Sequence, residues 1–159
     1  MDYTAARARA QAAEESLNLV EPVTLTSTLR HIEKLRGRKV VIQPMDGPED
    51  QVCGLWFGLD DMDLILHARA ASEMHRQQIV LHEFAHMILR HTQEELSPED
   101  ARKFFPDLDP DRVVLALKRT DFFDEFEVTA ELLADRLAAR IRRSRQADRQ
   151  PSNFGAVFG

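Results

Sequence analysis

Gln78-Ile79-Val80-Leu81-His82-Glu83-Phe84-Ala85-His86-Met87-Ile88-Leu89 is the stretch around which the rest of the chain is read. It contains the pattern His-Glu-x-x-His. On a helix, residues four apart stand one above the other on the same face, so His82 and His86 can aim both imidazoles at one cation. Glu83 stands one step round the helix, from where it can reach a water on that cation without becoming a ligand. Zinc suits such a site, because it accepts imidazole nitrogen and, when catalytic, keeps a fourth position open for water. Ile79, Val80, Phe84, Met87 and Ile88 make the helix apolar on most sides, as expected of a helix running through a core. Two histidines and a glutamate in such a helix imply partners, since an unpaired buried polar group costs several kcal/mol.

Outside that stretch the composition is ordinary. The 159 residues suffice for one domain, with 43% hydrophobic and 30% charged residues. A net charge of −6 offers no general field for collecting phosphates, so direct nucleic-acid binding is not expected. Cys53 is the only cysteine, which excludes an internal disulfide and fits a reducing compartment. No apolar run approaches the ~18 residues of a membrane span. The first residues carry no apolar segment of the kind found in secretory leaders, and the chain reads as cytoplasmic.

Local patterns predict the elements. Asp2 to Leu19 reads as a surface or partner-contacting helix, rich in Ala and Arg. Thr24 to Arg36 reads as a second helix, with Leu25, Leu29, Ile32 and Leu35 at helical spacing and Gly37 as its stop. His31 on it reads as a surface or structural histidine. Arg38 to Gln43 is β-branched and reads as a strand that Pro44 ends. A turn-rich loop follows over Met45 to Asp50. Val52 to Phe57 is apolar on both faces, which suits a central strand, and Met62 to His67 forms a third. Ser72 is placed to cap the metal helix, which should run to about Arg90. His67 and His75 read as structural or surface residues, and His91 as a candidate for the edge of the site. Ser97-Pro98 starts a further helix, and Asp109-Pro110-Asp111 looks like a repeat of that device. The acids Glu94, Glu95, Glu99, Asp100, Asp107, Asp109 and Asp111 read as a solvated face. Asp121 opens the last helix, with Phe122, Phe126, Leu133, Leu137 and Ile141 as its apolar stripe. Acids (Asp124, Glu125, Glu127) at its start and arginines (Arg140, Arg142, Arg143, Arg145) at its end match the helix dipole. From Gln146 the chain reads as a loose tail that Phe154, Val157 and Phe158 could dock.

A catalytic zinc also needs a third protein ligand. The pattern in which a glycine and a third histidine follow the motif is excluded, because Leu89 and Thr92 occupy those places. A glutamate on the last helix is the alternative. Glu131 lies beside Ala130, Ala134 and Ala138, whose small side chains let two helices approach closely. Asp135, four residues on, could accept a hydrogen bond from the far nitrogen of a ligand histidine and so fix its ring. The rival is Glu127 as ligand, one turn earlier, with Glu131 behind the histidine.

Arg76-x-x-Ile79-Val80-Leu81-His82-Glu83-Phe84-Ala85-His86, followed by Glu131-x-x-Ala134-Asp135-x-Leu137-Ala138, resembles the ImmA/IrrE family of zinc-dependent metallopeptidases, a gluzincin-like arrangement. The Gly54-Leu55-Trp56-Phe57 hairpin and the strand at Ile65 stand where that family places its small sheet. The resemblance spans roughly Lys39 to Arg140. It implies His82, His86 and Glu131 as zinc ligands, Glu83 as general base and Asp135 as the supporting acid. Leu137 departs from the family's frequent Phe. Arg90 holds the place of a frequent histidine, which here follows as His91. The resemblance also implies a separate partner chain as substrate, such as a helix-turn-helix repressor or antitoxin.

The expected fold is therefore α+β, a small three-stranded, largely antiparallel sheet packed against a zincin-type helical core. One domain is expected over 1–145, with N-terminal helices over 1–37, the sheet over 38–67, the helical metal-binding part over 72–145 and a tail over 146–159. The expected activity is zinc-dependent cleavage of a protein partner, with an edge strand, Met62 to His67, receiving the substrate by strand addition. The alternative is a toxin or regulatory binding module that keeps a zincin-like site without proteolysis.

Overall fold

The computed structural model describes residues 3–45, 54–69, 72–109, 111–117 and 125–149. Most of the loop expected over Met45 to Asp50, together with Val52, Cys53, Pro110, the helix start at Asp121 with Phe122 and Asp124, and the docking residues of the tail, lies outside these.

The metal-motif helix, α3 (Glu73–Ile88), begins where its cap was expected. Ser72 is extended and its Oγ accepts the His75 N–H at 3.1 Å. The helix stops at Ile88, short of Arg90, because Arg90 takes a left-handed conformation with φ of 59° and turns the chain aside. Val80, Leu81, Phe84, Ala85 and Met87 are all buried, so the C-terminal half of α3 is enclosed on nearly every side, while its first turn is exposed. It packs against the long α5 (Glu125–Arg149) and α2 (Leu25–Arg36), and α1 (Tyr3–Ser16) packs on α5. Thr24 and Ser27 form a reciprocal cap on α2, and Gly37 with φ of 67° closes it.

The sheet departs from expectation. It is mixed, with five strands among the described residues: β1 (Lys39–Met45), β2 (Gly54–Gly58), β3 (Met62–Ala68), β4 (Gln93–Glu95) and β5 (Leu115–Leu117), in the order β1-β3-β2-β5-β4. β3 folds back from β2 and inserts beside β1, which makes β1 and β3 parallel, with Val41 opposite Leu64. The other pairings are antiparallel. β3 is thus an interior strand, and Met62 to His67 cannot receive a substrate strand as expected. β1 continues through Pro44 because it lies at the sheet edge, where a missing N–H leaves no ladder bond broken. β5 replaces the helix read after Asp109-Pro110-Asp111. Val113 and Val114 favour extended backbone, and Asp109 accepts the Asp111 N–H in a local turn instead of capping a helix.

β2 is central, as its two apolar faces imply. Trp56 and Ile65 face α3 and α5, while Phe57 and Leu64 face a second cluster covered by α4 (Pro98–Phe104). There Phe57 packs 5.1 Å from Phe104 and 5.2 Å from Phe105, ring centroid to centroid. Asp63 is wholly buried in β3 and is held by Arg36 Nε at 2.6 Å and Trp56 Nε1 at 3.0 Å.

α1 is not a free surface helix. Ala6, Ala10 and Leu17 are buried against the core, where the small alanines allow close approach to α5. Glu14, also buried, is clamped by Arg136 and Arg140 of α5. Ser144 Oγ accepts the Val23 N–H at 2.8 Å and ties the α1–α2 connection to the same helix. α5 therefore runs through 146–149, where a tail was expected. The acids from Glu94 to Asp111 are solvent-exposed, as read. Among the described residues no helix is long and apolar enough to cross a membrane.

Candidate metal centre

Two antiparallel helices build the site. Gln78 meets Asp135, His82 meets Glu131 and His86 meets Glu127, so rising numbers on α3 meet falling numbers on α5. Each step is one helical turn on both helices. Ala130 and Ala134, both wholly buried, let the backbones come close enough for these short contacts. Leu133, Leu137 and Ile141 anchor the same helix in the core, whereas Phe126 is exposed.

Three donor groups converge. His82 Nε2 lies 3.1 Å from His86 Nε2 and 2.9 Å from Glu127 Oε2, and His86 Nε2 lies 3.2 Å from Glu127 Oε1. His82, His86 and Glu127 form a group able to hold a metal ion, with ligand atoms all within 4.8 Å of one another. Donors around a tetrahedral zinc at ~2.0–2.2 Å stand about 3.3–3.6 Å apart, so the cluster need open only slightly to take one. Two imidazoles and a carboxylate also match the donor chemistry of a catalytic zinc site.

The arrangement is that of the rival reading, with Glu127 beside the two histidines and Glu131 behind His82. Glu127, and not Glu131, joins the cluster. Glu131 Oε2 instead faces the far nitrogen of His82, Nδ1, at 2.6 Å. That was the place expected of Asp135. Asp135 instead accepts a hydrogen bond from Gln78 Nε2 at 2.9 Å. Gln78 donates to Glu131 Oε1 as well, at 3.0 Å, and so fixes the carboxylate behind His82. Sequence reasoning passed over Gln78, although its place four residues before His82, on the metal face, was the available signal.

His91 does reach the site. Its Nδ1 lies 2.7 Å from His86 Nδ1, and its ring packs 4.5 Å from that of Phe126. His75 is exposed and His31 partly exposed, both outside the cluster. His67 is buried, with Nδ1 bonded to the Ala68 carbonyl at 3.0 Å. Glu83 is buried against the start of β2, where a Cβ on Gly54 would lie 3.1 Å from Glu83 Oε1.

Electrostatics follow this geometry. Burial alone would lower the pKa of His82, but hydrogen bonds to Glu127 and Glu131, with the charge of Glu83, outweigh it and raise it to about 10. Hydrogen bonds from His82 and His86 hold the Glu127 carboxyl well below its ordinary range. Glu131 is lowered mainly by His82. Asp135 is raised, first by burial and then by the charge of Glu131.

Comparison of the chain with protein-family models, with curated proteins and with solved structures finds no match.

Proposed function

We propose that this protein is a zinc-dependent endopeptidase of the ImmA/IrrE kind, built on a zincin-type helical core and acting on a protein partner. The observation that carries the reading is the convergence of His82 Nε2, His86 Nε2 and the Glu127 carboxylate, backed by Glu131 on the opposite side of the His82 ring. His82, His86 and Glu127 would hold the metal. A zinc ion bound there supplies a water of pKa ~7 and polarises a substrate carbonyl. Glu83, buried one step round α3 from His82, would serve as the general base for that water and as the proton donor to the leaving amine, general acid–base work worth ~10²–10⁴ in rate. Glu131 accepts the His82 Nδ1 proton and Gln78 steadies Glu131, so that Nε2 is presented to the metal.

An extended substrate needs a free sheet edge. β4, three residues long, is the edge strand that follows the metal helix directly, and it is the edge proposed for strand addition. The partner class implied by the resemblance, a separate helix-turn-helix repressor, is the substrate to test first.

Metal analysis of purified protein should find about one zinc per chain, a single site of three protein ligands and a water. The zinc-loaded protein incubated with the repressor should yield fragments, and Glu83→Gln should abolish them while keeping its zinc. A Glu83→Gln protein that preserves the biological effect would favour the non-proteolytic binding module and defeat the peptidase reading.

A further inference from the structure

The two candidate ligand histidines are supported differently. His82 has a carboxylate, Glu131, at its Nδ1. His86 is 1% exposed, and among the described residues the only partner of its Nδ1 is another imidazole, His91 Nδ1, at 2.7 Å. At that separation one ring carries the shared proton and the other accepts it. If His86 gives Nε2 to a cation, its own proton must sit on Nδ1. His91 must then accept at Nδ1 and carry its proton on Nε2.

The chain is shaped to deliver His91 to this place. Arg90, with φ of 59°, ends α3 and turns the backbone, and the His91 N–H closes on the His86 carbonyl at 3.1 Å. The left-handed conformation costs a residue with a Cβ roughly 1 kcal/mol, so tertiary contacts must hold it. One such contact is the ring of Phe126, packed 4.5 Å from that of His91. Phe126 immediately precedes Glu127. His86, His91, Phe126 and Glu127 thus close a circuit linking the end of α3 to the start of α5.

We propose that His91 is a positioning residue, the neutral acceptor that fixes the tautomer and ring orientation of His86 so that its Nε2 faces the metal. This rests on the metal reading of the cluster. It assigns His91 no contact with substrate.

The test compares two variants of similar shape. Asn Oδ1 can occupy the place of His Nδ1 and accept the same proton, whereas Leu cannot. Zinc affinity, measured by competition with a chromophoric chelator, should fall ~10–100-fold in His91→Leu and stay within about threefold of wild type in His91→Asn. Packing against Phe126 alone would favour Leu over Asn, so equal loss in both, or no loss in Leu, overturns the proposal. A measurement on unaltered, zinc-loaded protein guards against misfolding of the variants. Long-range nitrogen–proton correlation should find the proton on Nδ1 of His86 and on Nε2 of His91, and the opposite tautomers overturn it. Wild-type protein that takes up no zinc defeats the metal reading and this inference together. Tight wild-type binding with an unaffected His91→Leu removes this inference alone.

Discussion

Exchanging Glu127 and Glu131 of α5 for glutamine in turn decides which of them is the ligand. Glu127 bridges both Nε2 atoms at 2.9 and 3.2 Å, whereas Glu131 touches only the far side of His82. A structural four-ligand zinc site is worth ~10–16 kcal/mol, or about 2.5–4 kcal/mol per ligand if shared evenly. Glu127→Gln should therefore weaken zinc roughly 10²–10³-fold, since a neutral amide oxygen is a poor substitute for a carboxylate. Glu131→Gln keeps an oxygen able to accept the His82 Nδ1 proton and loses only charge. Its loss should lie near the lower end of the ~10–100-fold typical of groups that orient a ligand. Isothermal titration of metal-free protein with zinc at one buffered pH measures both. A larger loss in Glu131→Gln than in Glu127→Gln would refute the assignment and restore the order implied by the family resemblance.

Other expectations follow from the same structure. Asp63→Ala strips Arg36 and Trp56 of their shared acceptor and should cost about 2–4 kcal/mol in denaturant unfolding; this is less than the full cost of breaking a buried pair, because the Arg36 side chain is 25% exposed. A loss under 0.5 kcal/mol would show that the pair is not structural. Glu14 is raised by burial but lowered further by Arg140 and Arg136, so its folded pKa lies below the ordinary 4.5. The stability it contributes is full above pH 4.5 and lost as pH falls through the lowered folded value, and Glu14→Gln should flatten that acid limb in thermal melts. His82 has the opposite sign in metal-free protein. Its contribution is complete below 6.5 and fades as pH rises towards about 10, and zinc uptake should release protons at neutral pH, detectable with an indicator dye. A Cβ on Gly54 would sit 2.7 Å from Ile79 Cγ2 and 3.1 Å from Glu83 Oε1. Gly54→Ala should cost about 1–3 kcal/mol and depress any Glu83-dependent cleavage more than zinc affinity.

Much of the framework is legible along the chain because it depends on near neighbours. The caps at Ser72, Thr24 and Gly37, and the break before β1, are matters of local hydrogen bonding and backbone freedom. The central place of β2 is visible because two buried faces leave no polar alternation. β4 and β5 escape notice for the converse reason. Gln93-Glu94-Glu95 is polar throughout and three residues show no period, so only pairing with Leu115–Leu117 makes it a strand. The burial of α1 is equally obscure, since Ala6 and Ala10 become core only through proximity to α5.

Two histidines one turn apart, with a glutamate between, were determined by the sequence alone, because helical periodicity sets their common face before any tertiary contact forms. Which acid meets them was not. Glu127, Glu131 and Asp135 share one face of α5 at equal spacing, and each is chemically able to serve. The offset between α3 and α5 chooses among them, and that offset is set by the packing of Ala130, Leu133, Ala134 and Leu137 in the core. A slide of one turn, about 5.4 Å, would exchange their places without altering a single residue.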